Sequence, residues 1–293
     1  TVTNAESFQL AAGLSDGRLQ LHRCMTVGML RHRKRRRTQK LISVPPLTSV
    51  SFECKLHEGE ITSITSSASG RELYVLGEKE DAIAAVDVLR RAMTRRIVVP
   101  AIPTCLSVRD NERSLFVGTQ RGHVLTISKR TFNASEISKH KKSVTSVATH
   151  PVKGISVSIT ADGTLCSWNV ETKEKKSETR TSSKPLSFQW SPSGNLYALG
   201  FADQTIVAEY GGRCMGQIRH IGANGCPVVF VNDSCIAAGA EQTPLLYRID
   251  EERPSVECSQ AMQHVGIASD ILSMAVIRCL KSSRDLVAAS TTM

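Results

Sequence analysis

Seven consecutive positions, Arg31-His32-Arg33-Lys34-Arg35-Arg36-Arg37, carry cationic or imidazole side chains, and Lys40 follows them. Such a run repels itself and does not fold alone. Its chemistry is phosphate contact: each Arg or Lys displaces counterions from a polyanion, and Arg adds a planar fork of donors that matches phosphate oxygens. Three readings stand for it: contact with RNA, a nuclear-import signal, or a solvated basic loop. The charge of the whole chain points the same way. A formal net charge of +10 over 293 residues favours an acidic partner such as nucleic acid or a membrane surface.

Other chemistry finds less support. Nine cysteines (24, 54, 105, 166, 214, 226, 235, 258 and 279) are scattered with neither a C-x-x-C pair nor zinc spacing. An odd, dispersed set reads as reduced core thiols of an intracellular protein. Ser, His and Asp are common, but no G-x-S-x-G elbow presents a nucleophile. Gly211-Gly212 and the stretch from Gly222 to Gly225 lack the pattern of a phosphate-cradling loop. Trp168 and Trp190 read as packing residues, and aromatics at 4% are too few for base stacking as the main binding mode. The expectation is no enzyme, no cofactor, no metal and no small-molecule substrate. No apolar run approaches the ~20 residues that span a bilayer, and the N-terminus lacks the layout of a signal peptide. Because the chain begins at Thr1, it is expected to be a segment of a longer protein.

The elements that position these residues recur at a fixed interval. Glu80, Arg121, Asp162 and Asp203 are turn positions spaced 41 residues apart. In the clearest copy, His140 precedes a strand over Val144–Ala148. A turn through His150, Pro151, Lys153 and Gly154 follows, then a second strand over Ile155–Ile159. The tight turn Ala161-Asp162-Gly163 leads into a third strand, Thr164–Trp168. The segments beginning at Glu80, Arg121, Asp203, Glu241 and Asp16 align with Asp162, and Leu286–Ser290 resembles a second strand. A period in the forties is the signature of a WD40-type β-propeller. The expected fold is therefore all-β: a seven-bladed propeller forming one domain over residues 1–293, with first and last blades incomplete. Closing such a ring removes open sheet edges, so further sequence is expected beyond one or both ends. The step from Asp16 to Glu80 is 64, an excess of 23 that accommodates a basic loop insertion at residues 25–48 in the first blade.

This frame gathers the cations. Loops between third and fourth strands leave a propeller on one face. In blade one that loop carries Arg31, Arg33, Lys34, Arg35, Arg36, Arg37 and Lys40; in blade two, Arg90, Arg91, Arg95 and Arg96. Blade three adds Lys129 and Arg130, and blade four Lys173, Lys175 and Lys176; Asp250, Glu251 and Glu252 break the arc in blade six. The arc is expected to bind RNA.

The run from His140 to Trp168, followed by Ser187-Phe188-Gln189-Trp190-Ser191-Pro192-Ser193-Gly194, resembles the PAK-interacting protein family, whose fungal member is the Mak-eleven protein. The shared pattern covers His140, Lys141, Val144, Thr145, His150, Pro151, Gly154, Ser158, Asp162, Thr164, Leu165, Trp168 and Asn169, with one residue added after Pro151. Detailed likeness is confined to residues 140–200; elsewhere it is one of layout. The resemblance implies a non-catalytic scaffold in nuclear, nucleolar assembly of the large (60S) ribosomal subunit. It would contact pre-rRNA through one face and assembly-factor proteins through the other, with no membrane and no obligate homo-oligomer. The alternative is a protein–protein scaffold or kinase regulator without RNA contact. The resemblance also implies a structural relay in which His140 bonds the turn acid Asp162, which orders Ser158 or Thr160 and Trp168. His57, His140, His220 and His264 stand at blade entries, too far apart to share one metal ion.

Overall fold

The computed structural model describes residues 6–26, 47–67, 69–108, 113–219, 228–240, 243–250, 252, 254–261, 271–278 and 285–291. Every regular element in them is a β-strand, and the strands pair only with sequence neighbours, antiparallel, into successive meanders. The first sheet holds β1 (Glu6–Gly13), β2 (Arg18–Thr26) and β3 (Leu47–Lys55). The second holds β4 (Ile61–Ser66), β5 (Glu72–Gly77), β6 (Ala82–Asp87) and β7 (Ala92–Val98). The third runs β8 (Pro103–Val108), β9 (Ser114–Thr119), β10 (His123–Ser128) and β11 (Ala134–Lys139). The fourth comprises β12 (Val144–Thr149), β13 (Ile155–Thr160), β14 (Thr164–Asn169) and β15 (Lys175–Arg180). Next come β16 (Ser187–Trp190), β17 (Leu196–Gly200), β18 (Gln204–Glu209) and β19 (Cys214–Arg219), forming the fifth. The sixth is β20 (Val228–Asn232), β21 (Cys235–Ala240), β22 (Thr243–Asp250) and β23 (Ser255–Ala261). The last pairs β24 (Ile271–Arg278) with β25 (Asp285–Thr291).

Successive sheets touch through their first strands, β4 to β8, β8 to β12, β12 to β16, β16 to β20 and β20 to β24. That contact column makes the fold propeller-like. The first sheet differs in kind. Its turn at Asp16-Gly17 matches the second-to-third-strand turns at Gly122 and Gly163, with φ of 82°, 85° and 85° respectively. β1 is thus a second strand, and it is β1 that meets β4.

The core lies between sheets, not within them. Alternate residues of a strand point to opposite neighbours. From β5 and β6, Leu73, Val75, Ala84 and Val86 pack toward the first sheet with Leu19 and Leu21. Tyr74, Leu76, Ile83 and Ala85 pack the other way, against Leu106, Leu115, Val117, Leu125 and Ile127 of the third. Both faces being covered, middle strands read as continuous apolar runs, and the fourth strands are the exposed ones: all six residues of β15 face solvent.

Candidate nucleic-acid interface

The third-to-fourth-strand turns are built alike. Asp87 Oδ1 accepts the N–H groups of Leu89 and Arg90 at 2.9 and 2.8 Å. Ser128 Oγ caps the next turn through Arg130 and Thr131, and Asn169 Oδ1 the one after through Glu171 and Thr172. These capping residues sit 41 apart, where a short polar side chain can bond backbone two and three residues on. Each turn is short, which corrects one expectation. Arg90, Arg91, Lys129, Arg130 and Lys173 lie in turns, but Arg95 and Arg96 belong to β7, and Lys175 and Lys176 to β15. The basic run Arg31 to Arg37, with Lys40, lies outside the described residues, as do Glu251, His220 and His264.

Many of the predicted cations already hold the protein together. Arg91, Phe132 and Lys173, again 41 apart, adopt left-handed φ values of 55°, 60° and 60°. Each side chain reaches back to the fourth strand of the preceding sheet. Arg91 Nη1 donates to the Ser51 carbonyl at 3.1 Å, and Lys173 Nζ donates to Ser135 Oγ. Phe132 carries the Arg95 guanidinium 4.2 Å above its ring centre. Lys129 pairs with Glu72 of the second sheet at 2.7 Å and lies over the Tyr74 ring. Lys175 pairs with Glu178 in its own strand. Arg90 is 80% exposed, with only a 3.7 Å contact to Asp87. Arg130 and Lys176 are exposed, with no ion pair among the described residues. Exposed pairs contribute at most about 1 kcal/mol, so Arg90 remains available to a polyanion, as do the unpaired Arg130 and Lys176.

On the opposite face, the histidine relays take two forms. His140 Nε2 meets Ser158 Oγ at 2.9 Å, and Trp168 Nε1 donates to the same oxygen at 2.8 Å. Asp162 does not join them, contrary to the expected relay. Its carboxylate folds onto its own turn, accepting from Thr160 Oγ1 at 2.6 Å, and these turn bonds hold its pKa below the usual range. Burial lowers the pKa of His140, which keeps the ring neutral and able to accept the Ser158 proton. Two periods upstream, the longer Glu80 does reach its histidine. His57 Nδ1 lies 2.9 Å from Glu80, whose carboxylate also accepts the Glu58 N–H at 2.6 Å and an Arg96 donor. Burial opposes ionisation of Glu80, but these bonds outweigh it and hold its pKa down at about 2.

Sequence reasoning missed how the fourth and fifth sheets join. His150 is buried and packs 4.8 Å from Trp190, ring centre to ring centre, and 5.5 Å from Tyr210. A Cβ on Gly194 would lie 2.2 Å from the His150 ring, so this turn needs glycine for contact as well as for its φ of 77°. Ser193 continues the chain of ties, donating through N and Oγ to Asp233 of the sixth sheet at 2.9 and 2.6 Å. The His-Pro and Trp-Ser-Pro-x-Gly motifs are two halves of one joint, a signal that pairing them across the period could have revealed.

The cysteines only partly meet expectation. Burial pushes the Cys105 thiol up to about 12 and, with Glu178 nearby, the Cys166 thiol up to about 11. Cys214 and Cys258 are exposed, a departure from the core reading that follows from their place on fourth strands. Among the described residues, no three His, Cys, Asp or Glu side chains converge as metal ligands.

Two curated proteins named "p21-activated protein kinase-interacting protein 1-like" resemble the chain. The one from Danio rerio is 23% identical over 188 residues, 63% of this chain and 50% of its own length. The one from Gallus gallus is 22% identical over 200 residues, 67% of this chain and 54% of its own. The matched part thus spans about half the length of these relatives. No protein-family profile matches. Among solved structures, the Kuenenia stuttgartiensis hydrazine synthase superposes with a TM-score of 0.57 at 15% identity, over 64% of this chain and 62% of that one, a likeness of fold alone. The chain is therefore similar in sequence to interaction proteins, and it is all-β and propeller-like in fold.

Proposed function

We propose that this chain is a non-catalytic scaffold, a seven-bladed propeller acting in nuclear assembly of the large ribosomal subunit. It grips pre-rRNA through the face bearing the third-to-fourth-strand turns and holds assembly proteins on the other. The observation that carries the reading is the recurrence of exposed cations at these turns and the strands beside them: Arg90, Arg130 and Lys176 in the second, third and fourth sheets. The Arg31–Arg37 run belongs to the equivalent connection of the first sheet, between β2 and β3. Phosphate contact at these points predicts affinity that falls steeply with salt. The triple variant Arg90→Glu, Arg130→Glu, Lys176→Glu is expected to weaken binding to large-subunit precursor RNA at least tenfold and to flatten its salt dependence. Crosslinking of that RNA to the opposite face, or an unchanged salt slope, overturns the reading.

A second reading, a protein-only scaffold or kinase regulator, is favoured by the relatives' names and by the intramolecular engagement of Arg91, Lys129 and Lys173. It predicts that large-subunit rRNA precursors are absent from purified particles that retain the protein's partners.

A further inference from the structure

On the face away from the basic turns, a cavity of about 380 Å³ opens between the second and third sheets. Thr62, Glu78, Lys79, Thr104, Gln120 and Ser143 are among its lining residues. Its floor is fixed. Thr62 and Thr104 occupy bulges at the starts of β4 and β8, and the Thr104 hydroxyl lies 3.1 Å from the Gly118 carbonyl and 2.5 Å from that of Val144. Above the floor the two sides carry opposite charge. The connection and turn at residues 56–60 and 78–81 hold Glu58, Glu60, Glu78, Glu80 and Asp81; Glu58 pairs with Lys55, Glu78 with Lys79 and Glu80 with Arg96, while Glu60 and Asp81 are exposed and carry no ion pair among the described residues. The two segments are fastened together, since Glu78 N–H donates to the Glu60 carbonyl at 2.7 Å. Opposite, residues 120–121 and 139–143 hold Arg121, Lys139, Lys141 and Lys142 and no carboxylate. All four of these cations are exposed, and Lys142 directly precedes the lining residue Ser143.

A polyanion fits half of this rim and is repelled by the other half. We propose that the cavity receives an extended segment of a partner protein carrying both charges. A cationic side chain lies toward Glu60 and Asp81, an anionic one toward Arg121, Lys141 and Lys142, and a small polar residue between them enters the cavity. The volume suits one or two side chains and the hydroxyl-rich lining suits polar ones. The charge divide fixes the direction in which the segment runs, the main contribution of electrostatic complementarity to recognition. The inference rests on the scaffold reading, whose RNA face lies elsewhere and is tested separately.

The probes are capped peptides with arginine at one end, glutamate at the other and one to four glycines or serines between, alongside controls with two arginines or two glutamates. Titrated into the isotope-labelled chain, at least one mixed-charge peptide is expected to shift the amides of Glu78, Lys79, Gln120 and Ser143. It should bind at least fivefold more tightly than either control. The double variant Lys141→Glu, Lys142→Glu should reverse the preference toward the two-arginine control. Gln120→Trp, which fills the mouth without touching the charges, should abolish the localised shifts while leaving the rest of the spectrum in place. Equal response to all three charge patterns, shifts scattered away from the cavity, or none at all overturns the proposal, whatever the RNA measurements show. Stronger displacement by an RNA oligonucleotide than by peptide at these amides also overturns it.

Discussion

At the scale of single residues, Ser158 shows how much one hydroxyl can organise. It has no exposed surface, accepts the Trp168 N–H and bonds His140 across the turn. Removing it strands a buried indole donor, so Ser158→Ala is expected to cost about 2 kcal/mol, read as a shift of the denaturation midpoint. Thr in its place should retain most of that stability. The neighbouring imidazoles give the protein a pH dependence of definite sign. Burial lowers the folded-state pKa of His140, and burial with the nearby Lys153 charge does the same for His150. A histidine depressed in the fold contributes its full stability above the ordinary value of 6.5 and loses it as pH falls below that. Stability should therefore decline from pH 7 to pH 5, and His140→Gln should reduce that decline. A flat profile over this interval in the parent protein would contradict the assignment.

At the scale of elements, the left-handed positions explain a conflict between local preference and fold. A non-glycine residue in that region costs about 1–2 kcal/mol, so Arg91, Phe132 and Lys173 are retained against the backbone's preference. What offsets the cost differs. Phe132 packs on the core between the second and third sheets and supports Arg95, whereas Lys173 makes one polar contact at the surface. Phe132→Gly is thus expected to destabilise by about 2 kcal/mol after the backbone relief is counted, and Lys173→Gly to be neutral or stabilising by up to about 1 kcal/mol. Equilibrium unfolding of the pair separates these outcomes. The strands themselves were legible from sequence because turn chemistry and alternation coincide: Ile155–Ile159 and Thr164–Trp168 are each within one residue of β13 and β14. The latches were not. They need a residue in one copy to be read against the preceding copy, and Arg91, Phe132 and Lys173 share a backbone conformation but no side-chain type.

At the scale of the molecule, charge is sorted more finely than a net value of +10 conveys. The formal count records Lys129 and Arg90 as equals, yet one side chain is 12% exposed against Glu72 and the other 80% exposed. Sequence assigned the cations to one face by topology alone, whereas Arg96 reaches across to Glu80 on the other, and it could not say which were spent on joining sheets. It also missed the opposite rim, where Glu78 and Ser143 are distant in the chain and adjacent only across the cavity.

The placement of thiols turns the assembly into its own strain gauge. Cys105 and Cys166 lie in the third and fourth sheets, held protonated by their surroundings, while Cys214 and Cys258 stand outside. A thiol held near 12 offers roughly a thousandfold less thiolate than one at its ordinary value of 9.0. Alkylation at pH 8 should therefore modify Cys214 and Cys258 first, Cys105 more slowly in proportion to its smaller thiolate fraction, and the buried Cys166 only as fast as its sheet parts from the next. Mass spectrometry timed over hours would then report how often neighbouring sheets separate, and whether a bound partner slows that breathing, with no label added.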